Sequence, residues 1–321
     1  MNEALNDKFP LVSVVMPSYN HERFIEEAVR SVWLQTYPNV ELIVIDDGSK
    51  DSSTKILDVL QPISPIPMLV IFNQNQGLCK TLNHCLSLAK GEFITVLASD
   101  DKYTPDRTMQ LVSSFKLQPA NVGMIYSNYM LMNLDSAVIG SKPNQKEIYC
   151  GNIFEPLLLK GNFIHPLTIM VKKEVFNQIG GYDESLRFED WDLFLKIARH
   201  YEVNYLETVT AYYRVSFNGL MSTLRYKDWF MVLNKYISFL TPIKQKQAKS
   251  FAYFSCARFE MQYGKFTTGL SYLLQSIKLG KPKFISWGIM FKLIMKRLAF
   301  ILFGEKLYRF VKLLKRKIKN D

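Results

Sequence analysis

The chain of 321 residues has no uncharged apolar run of about eighteen residues or more, so nothing in it reads as a membrane span. Its opening MNEALNDKFP lacks the basic and apolar regions of a secretory leader, and a cytoplasmic location is expected. Cysteine is sparse. Cys79, Cys85, Cys150 and Cys256 have neither metal-ligand spacing nor the density of a disulfide framework, which points to reduced thiols. No G-x-G-x-x-G and no G-x-x-x-x-G-K-[ST] occurs, so a dinucleotide fingerprint and a phosphate loop with its lysine are both excluded. A bound nucleotide would have to be held by carboxylates, aromatics and a metal. A uniform basic field is missing too: residues 281–321 hold twelve Lys or Arg against Glu305 and Asp321, which leaves the rest of a +11 chain close to neutral. That pattern excludes a general nucleic-acid binder.

What is present is the profile of a folded protein, 48% hydrophobic and 21% charged. Residues 11–16 (LVSVVM) form a β-branched run that stops at Pro17, before the loop chemistry of Ser18, Tyr19 and Asn20. Helical periodicity follows over 25–35, with Ile25, Ala28, Val29, Val32 and Trp33 on one face. A second strand, 40–46 (VELIVID), runs into Asp47-Gly48-Ser49, and a helix is expected over 51–60. Strand, helix, strand within about forty residues is a βαβ unit. A third strand at 68–72 and a third helix at 78–89 lead to the stretch 91–106, GEFITVLASDDKYTPD. There, the apolar strand 93–97 runs straight into the adjacent carboxylates Asp100 and Asp101. In an open α/β sheet ligands bind beyond the carboxyl ends of the strands, which brings Tyr19, Asn20, Asp46, Asp47, Asn75, Gly77, Asp100 and Asp101 to one crevice. Taken alone, two adjacent acids read first as ordinary turn and cap residues.

Further on, strands are expected over 122–126, 130–132 and 167–171, and helices over 152–160, 229–239, 245–263 and 266–278. His165, just before the strand expected over 167–171, is a candidate site residue, whereas His21, His84 and His200 read as surface or packing residues.

Three segments carry a resemblance: VSVVMPSYNHERFIEEAVRSVWLQTYPNVELIVIDDGSKDSS, NQGLCKTLNHCLSLAKGEFITVLASDD and GGYDESLRFEDWDLFLKIA. Together they are similar to the family 2 glycosyltransferases over roughly residues 10–215. The resemblance implies a GT-A fold of the α/β class, a Rossmann-like, mostly parallel twisted sheet flanked by helices. It further implies that Pro17, Tyr19, Asn20 and Asp46 hold the nucleoside, with Asp47, Asn75, Gly77, Lys80 and Ser99 nearby. Asp100 with Asp101 would bind a divalent cation, Mn²⁺ or Mg²⁺, and Glu189 and Asp190 would supply the base that activates the acceptor. Three positions depart from the family pattern. Ala98 stands where the first Asp of Asp-x-Asp is usual, Leu82 where an Arg is common, and Val215-Ser216 follow Tyr213-Arg214 where many relatives have a His.

The residue types fit that chemistry on their own terms. A departing nucleoside diphosphate builds charge on phosphate oxygens, and hard carboxylate ligands suit the cation that neutralises it. The attacking sugar hydroxyl must lose a proton, which a positioned carboxylate accepts, and a single displacement inverts the anomeric centre. Glu189-Asp190-Trp191-Asp192 precedes the amphipathic 193–198, so these acids equally suit a helix N-terminus. The expected activity is transfer from a nucleotide sugar, UDP-linked foremost, to a glycan or lipid-linked saccharide. A scaffold protein of the same fold without catalysis is the alternative that Ala98 leaves open, while a nucleotidyltransferase would need a glycine-rich basic loop that Pro17-Ser18-Tyr19-Asn20 does not provide.

The expected domains are a GT-A domain over 1–222 and a helical C-terminal region over 223–321. Within the latter, 284–303 is apolar apart from Lys292, Lys296 and Arg297, and 305–319 projects as a basic amphipathic helix. Peripheral attachment to the inner face of a membrane and packing on the domain are both compatible with that pattern.

Overall fold

A computed structural model describes residues 9–141, 148–186, 189–215, 226–263 and 265–280, together with Gly288 and Met295. The basic helix expected over 305–319, and all but those two residues of the apolar stretch 284–303, lie outside the described residues. By its internal contacts the chain forms two compact units: residues 1–157 with 162–224, and residues 158–161 with 225–321.

The first unit is built on β1 (Val12–Ser18), β2 (Val40–Asp46), β3 (Met68–Phe72) and β4 (Phe93–Val96), which lie side by side in the order β3-β2-β1-β4, all parallel. Every residue of β2 and β4, and all of β1 except Pro17, is buried. Such unbroken apolar runs are what a parallel strand covered on both faces requires. The register sets Ser18 opposite Asp46 and Asp46 opposite Phe72, so the carboxyl ends of these strands finish level. Helices α1 (Ile25–Trp33), α2 (Ser53–Leu60) and α3 (Leu78–Leu88) make the crossovers. Ile25, Ala28, Val29 and Val32 of α1 are buried, as the helical spacing predicts.

Beyond β4 the sheet becomes mixed, continuing through β5 (Lys102–Tyr103), α4 (Arg107–Lys116), β6 (Val122–Met132), β7 (Val138–Ser141), α5 (Phe154–Lys160), β8 (Met170–Lys172), α6 (Lys173–Ile179), α7 (Glu189–His200) and β9 (Glu202–Arg214). Its order is β3-β2-β1-β4-β8-β6-β9-β5, with β7 on β6. The two strands expected over 122–126 and 130–132 are one, because Ser127 is paired into the sheet: its hydroxyl is 2.6 Å from Thr210 Oγ1 and donates to Thr168 O at 3.2 Å. The strand expected over 167–171 is shorter and later, since Pro166–Thr168 forms a 3-10 turn whose Leu167 N–H is accepted by His165 Nδ1 at 3.3 Å. Arg107, fully buried, joins three of these pieces. Its guanidinium donates to Thr210 Oγ1 at 2.7 Å, Thr95 Oγ1 at 2.6 Å and Ile169 O at 2.8 Å, and lies 4.0 Å from the centre of the Tyr103 ring. A charge without water is tolerated there because both terminal nitrogens meet oxygen atoms and the guanidinium plane meets an aromatic face, while Nε has no hydrogen-bond partner among the described residues.

The second unit contains α8 (Tyr226–Tyr236), α9 (Pro242–Tyr263) and α10 (Phe266–Lys278). Phe254, Ala257, Met261 and Leu273 form its buried centre. Gly269 lets α9 and α10 approach, since a Cβ there would lie 2.7 Å from Met261 Cγ, and Ser250 and Ser276 hydroxyls bond across the pair. Among the described residues no helix is long and apolar enough to cross a membrane.

Candidate functional site

The site begins where β1 and β2 end. Asp46 is fully buried, yet both its oxygens are occupied: Oδ2 accepts from Ser18 Oγ at 3.0 Å and Ser49 Oγ at 2.6 Å, and Oδ1 from Ser49 N at 2.8 Å. Asp47 accepts the backbone N–H of Gln76 and of Gly77, each at 2.9 Å, and so ties the loop after β2 to the start of α3. Gly48 between them has φ +80°, and a Cβ on it would come within 2.8 Å of Asn75 N, so the crossing of these two loops requires glycine. Asn20 is left-handed at φ +55° and braces the same loops, donating its N–H to Ser49 Oγ at 2.8 Å and accepting Lys50 N at 2.7 Å. Tyr19, Asn75, Gly77 and Lys80 are exposed along this edge, with Pro17 half-buried in β1. Asp46 and Asp47 thus hold the loops in shape, and the exposed groups around them are the ones available to a ligand.

The acidic loop after β4 lies beside this edge. Asp101 is buried at 2% exposure and accepts Arg214 N at 2.7 Å; Asp100 keeps its carboxylate partly open and gives its backbone oxygen to Arg214 Nε at 2.7 Å. Burial, and then the charge of Asp100, hold the Asp101 carboxyl well above the usual carboxylate range in spite of the Arg214 contacts. Two like charges this close are costly without a cation, and a dication would remove that cost. Arg214 is itself 2% exposed. Its other donors reach Asn133 O, Ser136 Oγ and Glu27 Oε2 at 2.5 Å, and Lys102 Nζ takes Glu27 Oε1 at 2.7 Å. Burial alone would raise the Glu27 carboxyl, but the hydrogen bonds from Lys102, Ser136 and Arg214 bring it below its ordinary value. His21, read from sequence as a surface or packing residue, instead faces the acidic loop. Its Nδ1 is 2.8 Å from Ser99 Oγ and its Nε2 is 3.8 Å from Asp100 Oδ2.

The third group stands at the start of α7. Asp190 is half-buried, accepts Asn162 Nδ2 at 2.8 Å on Oδ2, and accepts Trp191 N at 2.7 Å on Oδ1. Burial pushes its carboxyl up to about 6, against the lowering effect of those bonds. Trp191 is buried and donates Nε1 to Leu157 O at 3.2 Å, which fixes the helix start. Asp192 is also buried, with Lys196 Nζ 3.3 Å away one turn later, so it serves α7 itself. The side chain of Glu189 lies outside the described residues.

An aromatic cluster draws on β6, β9 and the turn before β8. The His165 ring lies 4.6 Å from Tyr129 and 4.5 Å from Tyr213, centre to centre. Burial, then the charges of Asp101 and Asp100, push the Tyr213 phenol up to about 12, which sets that ring beside the acidic loop. His165 is three residues from Asn162, the partner of Asp190. Sequence reasoning missed the parts played by His21, Glu27, Tyr129, Asn162 and Arg214. Only Arg214 had a legible signal, an arginine ending a partly alternating segment. Among the described residues no three His, Cys, Asp or Glu side chains gather into a ready-made metal cage. Mg²⁺-type sites that borrow substrate phosphates need only one or two carboxylates, and Asp100 with Asp101 fits that donor set.

Comparison with known proteins points to one family. The family model described as Glycosyl transferase family 2 matches residues 13–180. An uncharacterized glycosyltransferase of Rickettsia typhi is 34% identical over 201 residues, 60% of each chain, so the match spans about three fifths of that relative. TuaG of Bacillus subtilis, provisionally named a teichuronic acid biosynthesis glycosyltransferase, is 31% identical over 170 residues, 53% of this chain and 65% of its own. Among solved structures, S. aureus TarS 1–349 in complex with UDP-GlcNAc aligns with a TM-score of 0.62 at 19% identity, over 96% of this chain and 92% of its own. The mannosyltransferase PcManGT from Pyrobaculum calidifontis, in complex with GDP-Man and Mn²⁺, aligns with a TM-score of 0.61 at 19% identity, over 96% and 84%. At that identity the likeness is one of fold.

Proposed function

From the premise that the chain belongs to glycosyl transferase family 2 and has the GT-A fold, we propose that it transfers a sugar, with inversion, from a nucleotide sugar to a saccharide hydroxyl. The observation that carries this reading is two acidic sites on different elements. Asp100 and Asp101 lie together at the end of a central strand, and Asp190, shifted to about 6, stands at the start of α7. Adjacent carboxylates suit a cation, and a single carboxylate with a raised pKa suits a proton. Asp190 takes the proton of the acceptor hydroxyl as its oxygen bonds to the anomeric carbon, and the bond to the nucleoside diphosphate breaks on the opposite side, its electrons leaving with the phosphate. Asp100 with Asp101 would hold Mn²⁺ or Mg²⁺, which supplies neutralisation of the charge on that departing group. Exposed Tyr19, Asn20, Asn75 and Lys80, beside Pro17 and Gly77, border the nucleotide, and Asp46, Asp47 and Ser99 keep their loops in place. His165 and Tyr213 offer ring faces to the acceptor.

The names of TuaG and of the TarS complex support an acceptor of surface-polysaccharide type and a UDP-linked donor, with the GDP-Man complex of PcManGT marking the competing nucleotide. A thermal-shift panel of UDP- and GDP-sugars with and without Mn²⁺ tests the reading. A donor at a hundredfold its Kd stabilises by about 2.7 kcal/mol, or roughly 5–10 °C for a domain of this size. A panel with no shift in any nucleotide sugar, with metal present, removes the proposal.

The sequence of 284–319 supports attachment to the inner face of a membrane, because an apolar stretch precedes a basic amphipathic one. Each Lys or Arg near an anionic surface contributes about 1 kcal/mol. Flotation should recover the full chain with anionic vesicles, release it as salt rises, and fail after deletion of 284–321. Undiminished flotation of the deleted chain would refute the attachment.

A further inference from the structure

We infer that His21 is a further cation ligand, acting with Asp100 to hold a nitrogen-and-oxygen donor pair for Mn²⁺ at the point where the donor diphosphate would lie. The inference rests on the proposed transferase site and adds to it a residue from a different strand end.

The imidazole is held in place at both ends. Its backbone N–H donates to Ser53 Oγ at 3.0 Å, and its carbonyl accepts the N–H of Phe24 and of Ile25, each at 2.9 Å, where α1 begins. The ring is fixed by Nδ1, 2.8 Å from the hydroxyl of buried Ser99. With the proton on Nδ1 and donated to Ser99, the lone pair of Nε2 faces Asp100. A ligating imidazole has this arrangement: one nitrogen donates to an oxygen that sets tautomer and orientation, and the other is left for the metal. The separation of Nε2 from Asp100 Oδ2, 3.8 Å, is too long for a hydrogen bond. Neighbouring donors of one octahedral ion about 2.1 Å from each lie roughly 3.0 Å apart, so the pair can share an ion once the two side chains close by less than about 1 Å. Both side chains are about one-third exposed, so the remaining coordination positions can be filled by phosphate oxygens and water.

The sequence gives the pairing a reason. Ala98 offers no side-chain oxygen to the loop, and Val215-Ser216 offer no imidazole after Arg214. Asp101 has one oxygen committed to Arg214 N. Asp100 would otherwise be left with little help, and His21 supplies a donor from across the crevice. A nitrogen ligand also sets preference: Mn²⁺ has the weakest affinity of the first-row divalent ions for such sites, yet it accepts imidazole more readily than Mg²⁺, which favours oxygen. His21 should therefore tilt this site toward Mn²⁺ over Mg²⁺.

The test uses the full-length protein with UDP or GDP, whichever the thermal-shift panel selects. Pulsed electron paramagnetic resonance of bound Mn²⁺ should show the modulation of a directly coordinated imidazole nitrogen, and His21→Ala should abolish it. By calorimetry, His21→Ala should weaken Mn²⁺ about tenfold or more while changing Mg²⁺ by less than about threefold, and His21→Asp should restore binding with Mg²⁺ favoured. Asp100→Asn separates the two levels of the claim. If Asp100→Asn loses Mn²⁺ but His21→Ala keeps both affinity and nitrogen signal, the His21 assignment is overturned and the acidic site stands. If Asp100→Asn binds Mn²⁺ as the native chain does, the cation site in the proposed function fails first.

Discussion

Asp100→Asn is expected to lower transfer by about 10³-fold, equivalent to about 4 kcal/mol of lost transition-state stabilisation. The reason is charge, since the amide has nearly the same shape but cannot neutralise a dication. Asp101 alone cannot replace it, because one of its two oxygens is committed to Arg214 N at 2.7 Å and leaves a single oxygen for a cation. The fold should survive, as the Asp100 backbone oxygen, which Arg214 Nε uses, is untouched by the change. A second consequence concerns the neighbour. The charge of Asp100 is one cause of the raised Asp101 carboxyl, so the variant should let Asp101 ionise at lower pH. Steady-state transfer assays with a chelator arm decide the matter. Near-native turnover of Asp100→Asn in the presence of chelator would show that neither this carboxylate nor a cation is needed.

Asp190→Asn should cost about 10²–10⁴-fold in kcat with donor affinity nearly unchanged, because an amide accepts hydrogen bonds but not the acceptor's proton. The pH profile adds a signature. A base works in its ionised form, so with the carboxyl at about 6 the kcat/KM of the native enzyme should rise through pH 6 and level above it, and that limb should vanish in the variant. Stability moves the other way. The folded carboxyl holds its proton more tightly than the ordinary value of 3.8, so the folded state is progressively penalised as pH rises from that value through about 6 and stays penalised above it. Removing the charge removes that pH-dependent penalty but leaves one acceptor where Asp190 uses two, for Asn162 Nδ2 and Trp191 N, so the melting temperature of Asp190→Asn should fall less steeply than that of the native chain as pH rises from 3.8 to about 6. Full turnover in Asp190→Asn, with the large loss appearing instead in Glu189→Gln, would move the role to Glu189.

Much of the frame was readable because it depends on local pattern. The runs VSVVM, VELIVID and FITV are buried on both faces, and a strand of that kind announces itself by having no polar alternation. α1 was readable by the spacing of Ile25, Ala28, Val29 and Val32. β6 was misjudged because Ser127 and Asn128 look like a loop, whereas the sheet gives Ser127 buried partners in Thr168 and Thr210. β9 went unassigned, since its side chains are mostly half-buried and carry no clean period. His21 was misread for a related reason: a lone histidine after a turn has no local signal of what it faces.

The sequence alone therefore determined the first four strands and the helices between them, where those strand ends fall, and which carboxylates stand near them. Propensity, periodicity and turn chemistry are properties of neighbouring residues. The tertiary structure alone decided what each polar group does. Asp46 is engaged by Ser18, 28 residues away, His21 meets Ser99 at 78 residues, and Arg214 braces Asp100 at 114. Such pairings are set by strand order and register, which no short stretch contains. The same holds for ionisation, since the shift of Asp190 comes from burial, and burial exists only once the chain has closed around it.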